Sequence, residues 1–208
     1  MAQTWFITGT SRGLGRALAQ AVLEAGDRVV ATARRPEQLA DLAASHGDRL
    51  LALALDVTDP GAVHTAIATA LARFGRLDVV VNNAGYANVA PHLRAQGGGT
   101  VVQFSSARGR VGGVPGLAAY QAAKFAVDGF SRALAAETAP FGVRVLTVPR
   151  ATSPRSARCS SATAVPSVIR PERWRSSPRP SSGEPGPATG SWARLIQPLS
   201  HRTGRSRK

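Results

Sequence analysis

The sequence predicts an α/β protein organised as a three-layer, doubly wound parallel sheet of about six strands. Three observations predict it. Short apolar segments of strand length alternate with longer segments of helical period, the pattern of βαβ units. One strand-length segment, Leu50–Leu55, is apolar throughout, as a strand is when both of its faces are covered. A glycine-rich turn joins the first strand to the first helix, where sheets of this kind bind phosphate groups. A chain of 208 residues with 43% apolar content is long enough for one domain with a real core.

The elements follow in order. Trp5-Phe6-Ile7-Thr8 reads as a short buried strand. After the glycine-rich turn a helix runs from about Leu14 to Ala25, with Leu14, Leu18, Ala21 and Val22 on one face, and Gly26-Asp27 ends it. Arg28–Thr32 is the second strand. Pro36 opens a helix that reaches about His46, where Gly47 stops it. Leu50–Leu55 is the third strand, Asp59-Pro60 opens a helix ending near Phe74-Gly75, and Leu77–Val81 is the fourth strand. Thr100–Phe104 is the fifth strand, Leu117–Ala139 a long helix ended by Pro140, and Val143–Val148 the sixth strand.

After Pro149 the periodicity stops. The net charge of +14 suggests at first a nucleic-acid or membrane partner. Splitting the chain alters that view, because residues 1–149 carry only +4 and residues 150–208 carry +10. The sequence therefore predicts a folded domain over 1–149 and a basic Ser/Pro/Arg-rich, disordered tail over 150–208. The tail lacks aromatic interleaving, so no specific nucleic-acid partner is expected. No apolar run has the length of a membrane span, and no membrane partner is expected. Cys159 is the single cysteine, which excludes an intramolecular disulfide and fits a cytoplasmic location. The start of the chain carries no basic, cleavable leader pattern. His46, His64, His92 and His201 lack ligand spacing, so no metal is expected.

Thr8-Gly9-Thr10-Ser11-Arg12-Gly13-Leu14-Gly15 is the turn that carries chemistry. Gly9 permits the tight turn, Gly13 lets the backbone of Ser11 to Leu14 approach a pyrophosphate, and Gly15 allows close helix–strand packing. The helix start then offers N–H groups and a positive dipole end to the phosphates. The Thr-Gly-x-x-x-Gly-x-Gly spacing, placed between strand and helix, resembles the short-chain dehydrogenase/reductase family. That resemblance implies a Rossmann-like fold and an NAD(P)-dependent oxidoreductase.

The second strand leads into Thr32-Ala33-Arg34-Arg35 with no acidic residue. A carboxylate there would bind the ribose 2′-hydroxyl of NAD, whereas a guanidinium pairs with the 2′-phosphate of NADP. Arg34, with Arg12 inside the turn, resembles the NADP-preferring pattern; the plainer alternative is that Arg34 and Arg35 are solvated surface charges. By the same resemblance Asp56-Val57 after the third strand holds the adenine ring. Asn82-Asn83-Ala84-Gly85 matches the family's next signature, with Asn82 steadying the sheet and Ala84 and Gly85 lining the cofactor cleft.

Tyr120-Gln121-Ala122-Ala123-Lys124 lies on the long predicted helix, and a spacing of four puts Tyr120 and Lys124 on one face. A free phenol titrates near pH 10, and a nearby ammonium favours the phenolate. Tyr120 is thus a candidate general acid/base toward a carbonyl or alcohol oxygen. The resemblance gives Lys124 a second task, holding the nicotinamide ribose. It also places a substrate-orienting serine at the end of the fifth strand. Ser106, second of the pair, is the better match; the 14 residues from it to Tyr120 are slightly long for the family, which implies a one-residue loop insertion, and Ser105 is the alternative.

The chain departs from the family pattern in two places. Only residues 86–99 lie between Asn-Asn-Ala-Gly and the fifth strand, where the family has a full crossover helix bearing a further catalytic asparagine; Asn88 is the nearest remnant. That missing helix is half of the family's usual dimer interface, so the resemblance assigns no homo-oligomer to this chain. After Pro149 nothing resembles the family's substrate-covering loop or its seventh strand. The reading is an NADP(H)-preferring oxidoreductase acting on a small-molecule carbonyl or alcohol. The alternative is a catalytically impaired remnant that only binds nucleotide or folds poorly.

Overall fold

The computed structural model describes residues 2–84, 90–106, 113 and 115–150, all within one unit of the chain. The predicted tail over 150–208 lies outside them, apart from the backbone of Arg150.

Six strands form one sheet: β1 (Thr4–Thr8), β2 (Arg28–Ala33), β3 (Leu50–Ala54), β4 (Val79–Asn82), β5 (Gly99–Ser106) and β6 (Val143–Arg150). Every pairing is parallel, and the order is β3-β2-β1-β4-β5-β6. The chain winds outward from β1 to β3, then returns to place β4 on the other side of β1. The gap above β1 and β4 is therefore the topological switch point, where such sheets hold ligands at the carboxyl ends of their strands.

Among the described residues five α-helices cover the sheet: α1 (Gly13–Glu24), α2 (Ala40–His46), α3 (Pro60–Phe74), α4 (Ala90–Ala95) and α5 (Ala118–Thr138). Strand alternation sends successive side chains to opposite faces. Trp5, Ile7, Val29, Ala31, Val79 and Val81 meet Leu18, Val22 and Leu23 of α1 and Leu42 of α2 on one face. Phe6, Val30, Val80 and Val101 meet Val63 and Ile67 of α3, Leu93 of α4 and Leu134 of α5 on the other. The result is the three-layer architecture that the sequence predicts.

Most predicted elements are present, and their ends differ for physical reasons. The Pro36–His46 segment divides into a 3-10 turn (Pro36–Leu39) followed by α2. β4 begins two residues later than predicted. Gln96 takes over the peptide groups of Leu77: its amide nitrogen donates to the Leu77 carbonyl, and its Oε1 accepts from the Leu77 N–H at 3.3 Å. β6 runs on through Pro149, and β5 through Ser106, because the two remain in register as far as Ser106–Arg150. Proline lacks the N–H that a central strand needs, and among the described residues β6 is an edge strand of this sheet.

The crossover expected to lack its helix contains the six-residue α4 instead of a full-length helix. Leu93 is completely buried and anchors it. Gly99 makes the room, since a Cβ there would lie 2.8 Å from the Leu93 Cδ2. Arg94 adds a cation–π contact to Phe141, 3.9 Å from the ring centroid.

Candidate active site

The glycine-rich turn is tied to the sheet on two sides. Thr10 donates both its N–H (2.9 Å) and its hydroxyl (3.1 Å) to the Thr32 carbonyl on β2. On the β4 side, the Thr8 hydroxyl donates to the Val81 carbonyl at 3.2 Å and accepts the N–H groups of Asn83 and Ala84, each at 3.0 Å. The Asn83 amide donates to the carbonyls of Thr8 (2.9 Å) and Gly9 (3.0 Å). The Asn-Asn-Ala-Gly motif thus holds the turn chiefly through Asn83, a residue to which the motif alone assigns no separate role. Asn82 is buried in β4 opposite Gln103 of β5, a placement suited to steadying the sheet.

The three glycines serve different ends. Gly9 has φ +71°, and a Cβ on it would come within 2.6 Å of the Ala84 Cβ. Gly13 has φ +62° and open space on its Cβ side. A Cβ on Gly15 would stand 2.3 Å from the Gly9 carbonyl oxygen and 2.6 Å from the Asn83 Nδ2, so Gly15 lets α1 start directly beneath the turn. Arg12 at the N-cap is extended, no side chain caps α1, and no acidic residue occupies its first turn. The first N–H groups and the positive dipole end are left for an anion.

A cleft of about 560 Å³ opens above this turn. Among its walls are Gly9, Ser11, Arg12, Gly13, Leu14, Arg34, Asp56, Val57 and Ala84, so the structure brings together nine of the residues predicted to bind cofactor. Asp56 sits at the exposed rim, where its Oδ1 accepts the N–H (2.9 Å) and the hydroxyl (2.7 Å) of Thr58. Those bonds, with the Arg34 guanidinium nearby, hold its carboxyl below the usual carboxylate range. An adjoining hollow of about 700 Å³ is lined by Ser11, Arg12, Arg34, Arg35 and Gln38. Three of these are guanidinium groups and none is acidic. The size, the uncapped helix start and the cationic hollow fit a nicotinamide dinucleotide. Gly15 lies beneath the cleft and Asn82 within the sheet, while Gly85 and Asn88 fall outside the described residues.

The predicted catalytic residues stand on β5 and α5, and are not among the cleft's wall residues. Tyr120, in the first turn of α5, is 40% exposed. Lys124, one turn later, donates from Nζ to the Phe104 carbonyl at 3.0 Å. That bond ties the start of α5 to β5 two residues before Ser106. Ser105 and Ser106 are both buried. By alternation Ser105 shares a face with Val101, the face on which α5 packs, whereas Ser106 shares the Val102 and Phe104 face. Sequence spacing favours Ser106, and the side of the sheet favours Ser105. Among the described residues there is no cluster of metal-binding side chains and no helix long and apolar enough to cross a membrane.

The family model for short chain dehydrogenase matches residues 3–91 and 86–153, in two segments that meet at the shortened crossover. The chain is 44% identical over 201 residues to the oxidoreductase BOA17 of Botryotinia fuckeliana, covering 82% of this chain and 73% of that protein. Among solved structures, a short-chain dehydrogenase from Streptomyces avermitilis superimposes with a TM-score of 0.66 at 40% identity, over 72% of this chain and 65% of that one. A 3-ketoacyl-(acyl-carrier-protein) reductase from Brucella melitensis, solved with NADH, gives a TM-score of 0.67 at 26% identity, over 78% and 79% of the two chains. The chain spans 56% of the length of two further relatives, from Penicillium decumbens and Schizosaccharomyces pombe.

Proposed function

The chain belongs to the short-chain dehydrogenase family, and from that premise we propose that it is an NADP(H)-preferring oxidoreductase acting on a small-molecule carbonyl/alcohol pair. The observation that carries the cofactor preference is the hollow beside the glycine turn, where Arg12, Arg34 and Arg35 meet without an acidic neighbour in the lining. A guanidinium cluster pairs well with a phosphate dianion, and the carboxylate that would hold a free 2′-hydroxyl is lacking. The α1 start would hold the pyrophosphate, and Asp56 and Val57 the adenine ring.

A bound nicotinamide supplies or accepts the hydride. The chain's own residues do the rest. Tyr120 gives a proton to the carbonyl oxygen on reduction, or takes one from the alcohol on oxidation. Lys124 would steady the charge left on the phenolic oxygen and would hold the nicotinamide ribose. Ser106, with Ser105 as the competing candidate, orients the substrate oxygen. We assign the enzyme to the cytoplasm, with no nucleic-acid or membrane partner and no assigned oligomer. The alternative of an impaired remnant draws no support from a sheet paired through all six strands.

The test is a titration of the purified chain with NADPH and with NADH, repeated on Arg34→Ala. Losing a charge-assisted phosphate contact costs about 1.5–3 kcal/mol, or roughly 10- to 100-fold in affinity. That loss is expected for NADPH, with NADH nearly unaffected. Equal affinity of the parent chain for both cofactors would remove the NADP assignment.

A further inference from the structure

The turn that carries Arg35 and Gln38 is held from outside the hollow. Arg16, on α1, lies across from it. Its Nη1 donates to the Gln38 carbonyl at 3.0 Å, and its Nη2 forms a hydrogen-bonded ion pair with the Asp41 carboxylate on α2. The Gln38 N–H in turn donates to the Arg35 carbonyl at 3.3 Å. Both backbone polar groups of Gln38 are therefore held, its carbonyl by Arg16 on α1 and its N–H by the Arg35 carbonyl. On the core side the same turn is pinned by Leu39, which is fully buried. Arg16 itself does not line the hollow.

We propose that Arg16 is a positioning residue for cofactor discrimination: by clamping the Pro36–Leu39 turn to α1, it holds Arg35 and Gln38 in the wall of the hollow that takes the 2′-phosphate. This rests on the NADP(H) reading above and names a residue that acts on it at one remove. The clamp fixes the backbone that carries Arg35, so that less conformational freedom is lost when a phosphate is bound. It also pairs the charge of Asp41, three residues beyond Gln38. The Arg16 hydrogen bond holds the Asp41 carboxyl below its ordinary range. A lysine cannot replace this fork, since one ammonium lacks the planar, paired donors that span a carbonyl and a carboxylate.

The experiment measures the dissociation constants of NADPH and NADH on the full chain and on Arg16→Ala and Arg16→Lys. The expected result is an NADPH affinity weakened about two- to fivefold, the size a partly exposed ion pair can contribute, with NADH changed by less than the error. A merely structural role would weaken both cofactors alike, and that result overturns the proposal. So does an unchanged NADPH/NADH ratio in both variants while the parent chain prefers NADPH. Arg16→Lys keeps the charge opposite Asp41 and the helix propensity, and it decides the question if Arg16→Ala does not fold. A parent chain without NADPH preference overturns the NADP(H) reading itself and this inference with it.

Discussion

Replacing Gly15 by alanine tests how the phosphate turn is built. The new Cβ would lie 2.3 Å from the Gly9 carbonyl oxygen, 3.1 Å from the Gly9 carbonyl carbon and 2.6 Å from the Asn83 Nδ2. Two of these atoms are backbone, and the Gly9 oxygen is pinned by the Asn83 amide at 3.0 Å. Relief requires the turn to move away from α1, which strains packing by about 1–3 kcal/mol. It also breaks at least one Asn83 hydrogen bond, worth about 1 kcal/mol. Alanine in a helix recovers about 1 kcal/mol. The net loss is then about 2 kcal/mol, or a fall in melting temperature of roughly 4–8 °C for a chain of this size. Gly13→Ala is the comparison: its Cβ meets nothing within 4 Å, so it costs only the left-handed backbone term of about 1–2 kcal/mol, and since Gly13 is a wall residue of the cleft, weaker NADPH binding is expected with it. Urea unfolding and NADPH titration of both variants separate the two effects. A Gly15→Ala chain as stable as the parent, with cofactor affinity intact, would refute the close packing of turn against helix.

Three further outcomes are expected. Asp59 caps α3 by accepting the N–H groups of Gly61 (2.8 Å) and Ala62 (3.1 Å), so Asp59→Ala should lower unfolding free energy by about 1 kcal/mol, read by urea titration. The Asp56 carboxyl is held below its ordinary 3.8. A group depressed in the folded state adds stability above its unfolded pKa and loses it as pH falls through the folded value. Asp56→Asn should therefore melt below the parent at neutral pH and converge with it in acid; a constant gap across pH would contradict the Thr58 and Arg34 contacts. Finally, Ser105→Ala and Ser106→Ala should differ. The serine that orients the substrate oxygen should cost roughly 10²-fold or more in kcat/KM with NADPH affinity retained, and the other should leave turnover near the parent's.

Much of the fold was legible because its strands are apolar on both faces and its helices are amphipathic, so the local signal and the tertiary role agree. The tight turn at Gly9 and the close helix packing at Gly15 were legible, since each depends on the absent side chain. Less legible were features set by contacts distant in sequence. Gln96 takes the Leu77 peptide out of β4 across 19 residues, and no local preference reports that. Asn83 and Thr8 meet across 75 residues, so the motif showed that the segment matters without showing which asparagine holds the turn. The clamp of Arg16 on Gln38 and Asp41 has the same origin. The two serines at the end of β5 are adjacent in sequence but opposite in face, which spacing alone cannot weigh.

The measurement that bears most directly on the central claim is NADPH consumption by the purified chain against a panel of aldehydes and ketones, with Tyr120→Phe run beside it. The account predicts carbonyl-dependent turnover by the parent and a loss of about 10²- to 10⁴-fold in Tyr120→Phe, with NADPH still bound by both. Turnover that survives the loss of the phenol, or a parent chain that binds NADPH and reduces nothing in the panel, would contradict it.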